Sequence, residues 1–266
     1  MIERRWPEFR WPKDMYPDVK YPEYHYGARS PWTPAEDMPT AWYRATEGIT
    51  KDANNYVSQW DDLSGNGYHY VQGVGANQPV FGKSLHFLDC LQFDGVNSFM
   101  SITAGYQASS NNSIIFTVVD ITNATPVNRI INNEAGGGTR HGLFTYSTGC
   151  NYIHSNGFNP IKTTDPITAG NFILSGHRNG TTQEANINAD GDTNTSGATC
   201  PTLDSWTLGS TSGGGGRFNG NIMEIIVYTK YNADLMNKLD GYLHYKYNKA
   251  LPSGHPYENA KPLEGA

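Results

Sequence analysis

An aromatic residue followed by proline recurs every five residues near the start of the chain. The pairs are Trp6-Pro7, Trp11-Pro12, Tyr16-Pro17 and Tyr21-Pro22, and Tyr26 continues the spacing. Five residues do not match the period of an α-helix, which is about 3.6 residues. Each proline also lacks an amide donor and pushes the preceding residue toward extended geometry. The repeat therefore predicts an extended, polyproline-like arm over residues 1–26 and excludes a helix or a central strand there.

The arm is aromatic and carries no net charge, because its five basic and five acidic residues cancel. Large aromatic rings dominate interface energetics, so the arm needs a surface to lie on. That surface is either the chain's own globular domain or a neighbouring subunit of a larger assembly. We favour the second, because a proline-fixed segment loses less entropy on docking. The predicted docking residues are Trp6, Phe9, Trp11, Tyr16, Tyr21 and Tyr26.

The composition changes after the arm. Residues 27–40 contain three further prolines and are predicted to be a linker. From residue 41 to about residue 250, short apolar runs alternate with Gly, Asn, Asp and Ser, a pattern typical of an all-β domain. Residues 251–266 are predicted to be a C-terminal tail.

Five segments of the domain carry the main strand signals. Ile222–Tyr228 is apolar on both faces and is predicted to be central in a sheet. Asn179-Gly180 suits the primed turn of a hairpin. The other candidates are a buried strand at 114–119, a strand at 172–174, and a hairpin over 92–102 that turns at 94–97.

One segment near the end has the period of a helix. Asn232 is the predicted N-cap, and Pro252 and Gly254 follow the segment and end it. Lys246 and Lys249 near its end suit the helix dipole. The apolar stripe is predicted to pack on the sheets and close the sandwich; it consists of Leu235, Leu239, Tyr242, Leu243 and Tyr247.

Charge and hydropathy narrow the classes of function. The formal net charge is -6 with 17% charged residues and no basic run, which argues against nucleic-acid binding. No apolar run approaches the ~18 residues of a membrane span, and the first residues lack the apolar region of a secretion signal. Synthesis in the cytoplasm without membrane insertion is therefore expected. The three cysteines are far apart in the sequence and are predicted to be buried thiols; they are Cys90, Cys150 and Cys200.

Several motifs of the domain, taken in order, resemble a known family. They are Trp42–Ala45, Val57–His69, Asn77–Pro79, Leu91–Val96 and Phe218–Tyr228, the last followed by the helix with Gly241-Tyr242-Leu243. Residues 41–250 are similar to the laminin-G-like, concanavalin A-like lectin/glucanase domains of phage and bacterial surface proteins. The resemblance implies a jelly-roll sandwich of two antiparallel sheets, a fold used for glycan binding, adhesion and sometimes hydrolysis. The arm lies outside it.

The carboxylates argue against hydrolysis. The glucanase members carry two or three carboxylates alternating along one strand, because retaining hydrolysis needs both an acid and a nucleophile. This chain has no such array, and Glu224 is the only carboxylate of its best strand. We expect Glu224 to be structural and hydrogen-bonded to nearby backbone, and we predict that the chain is not an enzyme and has no catalytic residues.

Metal binding is a weaker alternative. Asp61, Asp62, Asn66 and Asp94 are oxygen donors of the kind that calcium prefers. Asp and Asn are also ordinary turn formers, and the turn interpretation is favoured. Residues 190–194 resemble the start of a calcium loop, but the glutamate that should follow is absent. No cofactor is predicted, and calcium stays an alternative.

Three functional hypotheses follow. The first is a phage capsid decoration protein on the virion surface, anchored to other virion proteins by the arm. The second is a tail-fibre or receptor-binding adhesin that recognises host glycans. The third, a glycoside hydrolase or lyase, ranks last because the carboxylate array is missing. Particle proteins commonly assemble symmetrically, and a trimeric homo-oligomer suits the first hypothesis.

Overall fold

The computed structural model describes residues 30–84, 88–102, 111–124, 127–135, 139–146, 148–156, 160–195, 205–211 and 214–264. The predicted arm with its six docking residues lies outside the described residues, as does Cys200. From Pro31 onward the described chain belongs to one compact unit.

Seventeen strands and one α-helix form the described unit. The first nine strands are β1 (Ala41–Arg44), β2 (Ile49–Lys51), β3 (Val57–Trp60), β4 (Tyr70–Val71), β5 (Val80–Lys83), β6 (Asp89–Asp94), β7 (Met100–Ile102), β8 (Asn112–Ile121) and β9 (Asn128–Ala135). The others are β10 (Thr139–Tyr146), β11 (Gly149–Asn156), β12 (Ile161–Lys162), β13 (Gly170–Asn179), β14 (Thr182–Ile187), β15 (Asp190–Thr195), β16 (Trp206–Leu208) and β17 (Asn219–Tyr228). The helix α1 spans Ala233–Lys246, and two short 3-10 helices span Pro34–Asp37 and Gly75–Asn77.

The strands form two antiparallel sheets, as the resemblance implied. The first sheet has the order β15-β14-β13-β8-β17-β6-β5, and β1 pairs with the far part of β17. The second sheet has the order β12-β11-β10-β9-β16-β7-β4-β3-β2. The predicted central strand is confirmed, because β17 pairs with β8 on one side and with β6 and β1 on the other.

The main core lies between the sheets. Ile115, Val119 and Ile222 of the first sheet and Trp60 and Trp206 of the second belong to one buried cluster. The segment predicted as a buried strand at 114–119 lies in β8, where alternate side chains serve two different cores. Ile115 and Val119 face the second sheet, whereas Ile114, Phe116 and Val118 belong to a second cluster on the other face.

The helix covers this other face, which we call the outer face of the first sheet. Leu235, Leu239 and Leu243 of α1 pack with Phe116 and Ile226 in the second cluster. The predicted cap is confirmed, since the Asn232 side chain accepts hydrogen bonds from the amides of residues 234 and 235. The prediction that the apolar stripe of the helix packs on the sheets is confirmed, and α1 forms a third layer on the outer face of the first sheet.

The prediction of a hairpin over residues 92–102 is wrong. β6 belongs to the first sheet and β7 to the second, so the connection crosses between sheets instead of pairing its two strands. The turn itself is where the sequence placed it, with Gly95 at φ 72°. In this turn the Asp94 carboxylate accepts hydrogen bonds from the backbone amides of Val96, Asn97 and Ser98. The residues of the turn set the change in chain direction, whereas core packing determines the strands with which β6 and β7 pair.

The second predicted hairpin is confirmed. β13 and β14 pair from Asn179 and Thr182 outward, with Gly180 at φ 61° in the two-residue turn. The next hairpin turns at Asn188-Ala189, where both residues have positive φ, as a type I′ turn requires. The segment that resembled the start of a calcium loop forms β15, the edge strand beyond this turn.

The segments flanking residues 41–250 also contact the unit. Trp32, within the predicted linker, is only 2% exposed and packs edge-on against Tyr242 of α1. Its amide donates to the Pro262 carbonyl, and Pro31 forms a β-bridge with Leu263. Within the described part of the chain, α1 is too short and too polar to serve as a membrane span.

Candidate functional site

The outer face combines a buried carboxylate with polar clefts at the ends of α1 and of the central strands. A bulge in β17 shapes this face, because the register with β8 shifts between Ile222 and Glu224. The extra residue lets Met223 join the apolar cluster under α1 while Glu224 also contacts the helix. The side chains of Met223 and Glu224 therefore lie on the same face of the sheet, although the two residues are successive.

Glu224 is 1% exposed and accepts four hydrogen bonds. The donors are Trp42 Nε1 at 2.8 Å, Tyr242 Oη at 3.1 Å, Lys246 Nζ at 2.7 Å and Tyr247 Oη at 2.8 Å. The expectation of backbone partners was wrong, because all four donors are side chains, one from β1, two from α1 and one from Tyr247, the residue that follows α1. With its oxygens occupied and sealed from solvent, this carboxylate holds the helix on the sheet and has no free face for a substrate.

Burial changes the ionisation of its neighbours. Desolvation lowers the pKa of Lys246, although the Glu224 charge acts against this shift. Burial and the nearby Glu224 carboxylate both raise the pKa of Tyr247 well above its ordinary value. The phenol therefore stays protonated at neutral pH and donates, which agrees with its hydrogen bond to Glu224.

Beyond the helix, a row of four polar residues crosses the outer face. Asn171 of β13 stands opposite Asp120 of β8, Asp120 opposite Asn221 of β17, and Asn221 opposite Gln92 of β6. Asp120 lies two residues beyond Val118, so the row shares the face that α1 covers further along. The outer face of the first sheet is therefore polar at the strand ends, beyond the apolar part that α1 covers.

Two amides of the row line the largest of the described cavities, which we call the strand-end cleft. Gln92, Asn221 and Thr122 belong to its lining, and most of the surface that the cleft exposes is apolar. Its volume is about 530 Å3. The lack of a side chain at Gly82 leaves room for the Gln92 side chain, because a Cβ at position 82 would lie 2.9 Å from the Gln92 Cδ. The cleft offers hydrogen-bonding groups beside apolar surface.

The other end of the row borders the helix-end cleft, a cavity of about 360 Å3. Its described lining residues are Leu88, Asn171, Lys246, Tyr247, Asn248 and Lys249. The Lys249 ammonium donates to the Asn171 carbonyl oxygen at 2.8 Å, so this lysine joins the chain after α1 to β13. Asn171 and Asn221 stand two strands apart, so their backbones are separated by about 10 Å. Both clefts therefore lie along one polar row.

The oxygen donors considered for calcium are engaged in turns. Both Asp62 oxygens accept hydrogen bonds, from the amides of Trp42, Ser64 and Tyr68 and from the Ser64 hydroxyl. Burial opposes ionisation of Asp94, but its bonds from Ser98, Val96 and Asn97 outweigh that cost and lower its pKa to about 2. The turn interpretation is confirmed for these two residues.

The other candidate ligands stay apart. Asn66 donates its amide hydrogens to the carbonyls of Pro39 and Thr40. Asp61 accepts from Gln59 Nε2 and lies 3.3 Å from His69 Nδ1. Across the ranges that the structure describes, no three His, Cys, Asp or Glu side chains come together in a way that suits a metal ion. Cys90 and Cys150 are buried free thiols, as predicted, and burial raises the pKa of each to about 12.

The clefts were missed at the level of sequence. Neither Asn171 nor Asn221 was predicted to be a site residue, and Lys249 was explained by the helix dipole. A signal was present, since both asparagines stand two residues before an apolar outer-face residue, Ile173 and Met223. The chain order of the sheet, which brings β13, β8, β17 and β6 side by side, was needed to join these residues into one row.

No protein-family model and no curated protein sequence matches the chain. Solved structures share its fold. The binding domain of botulinum neurotoxin DC in complex with SialylT is 14% identical, with a TM-score of 0.54 over 79% of this chain and 52% of that one. Trypanosoma rangeli sialidase in complex with sialic acid is 13% identical, with a TM-score of 0.58 over 84% of this chain and 36% of that one.

A further botulinum neurotoxin DC binding domain, in complex with rat synaptotagmin II, is 15% identical with a TM-score of 0.52 over 78% of this chain and 52% of that one. The chain thus spans about half the length of the toxin structures and about a third of the sialidase. Identities this low show the fold alone. The described unit of this chain is a β-sandwich of two antiparallel sheets that shares its fold with these structures.

Proposed function

We propose that this chain is a non-enzymatic carbohydrate-binding module and that its ligand lies along the polar row of the outer face. The observation that carries the proposal is the strand-end cleft, where the Gln92 and Asn221 amides border largely apolar surface. A saccharide needs this combination, because its hydroxyls require paired donors and acceptors while its C–H surface favours apolar contact. The solved structures of the same fold support it, since two of them are described in complex with SialylT and with sialic acid.

A glycan array with the full chain tests this proposal, followed by titration of the glycans that bind. Asn221→Ala and Gln92→Ala should each weaken binding by about three- to ten-fold, the value of one hydrogen bond. Asn54→Ala is the matched control, because Asn54 is an exposed turn amide outside the cleft lining. Absence of binding across the array, or equal affinity in all three variants, would contradict the proposal.

The non-enzymatic part of the proposal rests on Glu224. Its carboxylate is buried and holds four donors, so it is unsuited to act as an acid or a nucleophile. We expect no release of reducing sugar from any polysaccharide that the array identifies. Release that persists in purified protein and disappears in a cleft variant would establish hydrolysis instead.

The arm supports a second proposal, attachment to a larger assembly. Its Trp-Pro and Tyr-Pro steps place large rings on a neutral segment that the proline repeat predicts to be extended, which favours docking on other proteins. We propose that the chain is made in a host cytoplasm and anchored by this arm on a phage particle, with the sandwich displayed. Deletion of residues 1–26 should leave a folded sandwich that no longer co-sediments with particles. Unchanged co-sedimentation would contradict arm anchoring and leave the glycan proposal intact.

A further inference from the structure

The helix-end cleft differs from the strand-end cleft in charge. Two lysines, Lys246 and Lys249, belong to its described lining, and no carboxylate does. Cations are in the minority in this chain, which has 19 Lys and Arg against 25 Asp and Glu. Two of them lie in this one small cleft of an acidic protein, where the local potential depends on which of the two charges is left unpaired.

The two lysines are not equivalent. Lys246 lies 2.7 Å from the buried Glu224 carboxylate, which compensates its charge. Lys249 donates to the Asn171 carbonyl, and within the described residues no carboxylate forms an ion pair with it. An ammonium has three donor hydrogens, so this hydrogen bond leaves two for a ligand. The uncompensated charge of the cleft thus belongs to Lys249.

A second group in the same cleft requires a donor. Asn171 is 9% exposed, and its Oδ1 is buried without a hydrogen-bond partner. A buried acceptor without a donor is costly, so a ligand that brings an O–H or N–H group here gains affinity. Sulfate, phosphate-ester dianions and simple carboxylates carry no such group at neutral pH. The cleft therefore favours a ligand in which an anionic group and a hydroxyl group lie close together.

We propose that the helix-end cleft binds the carboxylate-bearing residue of an acidic glycan, a uronic or sialic acid. The inference rests on the proposed carbohydrate-binding function and names the class of sugar. Lys249 Nζ pairs with the sugar carboxylate, and Asn171 Oδ1 accepts from a neighbouring sugar hydroxyl or amide. The polar row then guides the next residues of the glycan toward Asn221 and the strand-end cleft.

Matched pairs of glycans test the inference. The full chain is titrated with sialyllactose against lactose and with oligogalacturonate against the neutral galactose oligomer, at 20 mM and 500 mM salt. At least one acidic member should bind about ten-fold tighter than its neutral partner, the value of one charge-assisted hydrogen bond. The difference should shrink at high salt, because an ion pair at the protein surface is screened.

Variants of the cleft assign the preference to Lys249. Lys249→Gln should abolish the acidic preference, whereas Lys249→Arg should retain it. Lys162→Gln, an exposed lysine on β12, is the control. If Lys249→Gln fails to fold, the salt dependence of the unmodified chain and Lys249→Arg still test the ion pair.

The outcomes separate the inference from the proposed function. Equal binding of acidic and neutral members, or a preference that survives Lys249→Gln, overturns the inference, while binding that Asn221→Ala still weakens upholds the carbohydrate-binding function. No binding of any member of either pair, together with a silent glycan array, overturns both. A salt-sensitive acidic preference lost only in Lys249→Gln supports both.

Discussion

The Lys246 ammonium lies 2.7 Å from Oε2 of Glu224 and joins the last turn of α1 to the bulged part of β17. This contact belongs to a network in which Trp42, Tyr242 and Tyr247 also donate to the same carboxylate. The third layer of the fold therefore rests on a polar anchor as well as on its apolar stripe. The anchor also borders the helix-end cleft, because Lys246 and Tyr247 line it.

Glu224→Gln should lower the free energy of unfolding by about 2 to 3 kcal/mol, because hydrogen bonds to a charged group are lost and the Lys246 ammonium keeps no carboxylate partner there. Urea denaturation measures the change. Glu47→Gln is the control, since Glu47 pairs with Arg44 at the surface and half of its side chain is exposed. That substitution should cost less than about 1 kcal/mol. Equal losses in the two variants would show that the network does not anchor the helix.

Gly176→Ala should destabilise the contact between the two sheets. A Cβ at position 176 of β13 would lie 2.2 Å from Cδ2 of Tyr152, a fully buried residue of the second sheet. Overpacking of this kind costs about 1 to 3 kcal/mol. Gly73→Ala is matched, because its Cβ would meet nothing within 4 Å and its φ is not positive. Comparable unfolding midpoints for both variants would refute the tight approach of the sheets at Tyr152.

Asn232→Ala should cost about 1 kcal/mol, because the side chain caps two amides at the start of α1. The loss should appear as a lower urea midpoint of the cooperative transition, since the helix covers the apolar outer face. Asn237→Ala lies inside the same helix and should be neutral or slightly stabilising, because alanine is the better helix former. A larger loss for Asn237→Ala than for Asn232→Ala would argue against the cap.

Asp240→Asn should change the pH dependence of stability. Asp240 is buried in α1, and burial together with the Glu184 charge raises its pKa to about 8. The unfolded state releases this proton near pH 4. Between about pH 4 and pH 8 the folded state therefore binds more protons than the unfolded state, so stability falls as the pH rises. Asparagine has no proton to release and escapes this penalty.

The gain in unfolding free energy from Asp240→Asn should grow between pH 5 and pH 8. Urea denaturation at both pH values gives the difference, in which titration of the neighbouring His255, 4.0 Å from Asp240, affects both proteins. Asp165→Asn is the control, because the Asp165 side chain is exposed. A gain that is constant with pH would contradict the raised pKa.

Local patterns predicted much of the fold. The run at 222–228, the Asn179-Gly180 turn and the Asn232 cap each carry their signal within a few residues, so each was found without the tertiary structure. The Asp94 turn was equally local. Its flanking strands nevertheless pair in different sheets, because strand partners are chosen by the burial of whole faces and no short-range signal states that choice.

Local residue patterns are enough to predict an all-β domain with one late helix and the turns that divide its strands, and they contain no glucanase-type carboxylate array. Three features depend on the folded chain: α1 lies outside the two sheets, side chains hold Glu224, and four polar residues form one row, namely Asn171, Asp120, Asn221 and Gln92. The physical reason is sequence separation. Residues that are up to 129 positions apart, from Gln92 to Asn221, become neighbours only when long-range strand pairing buries the apolar faces of both sheets.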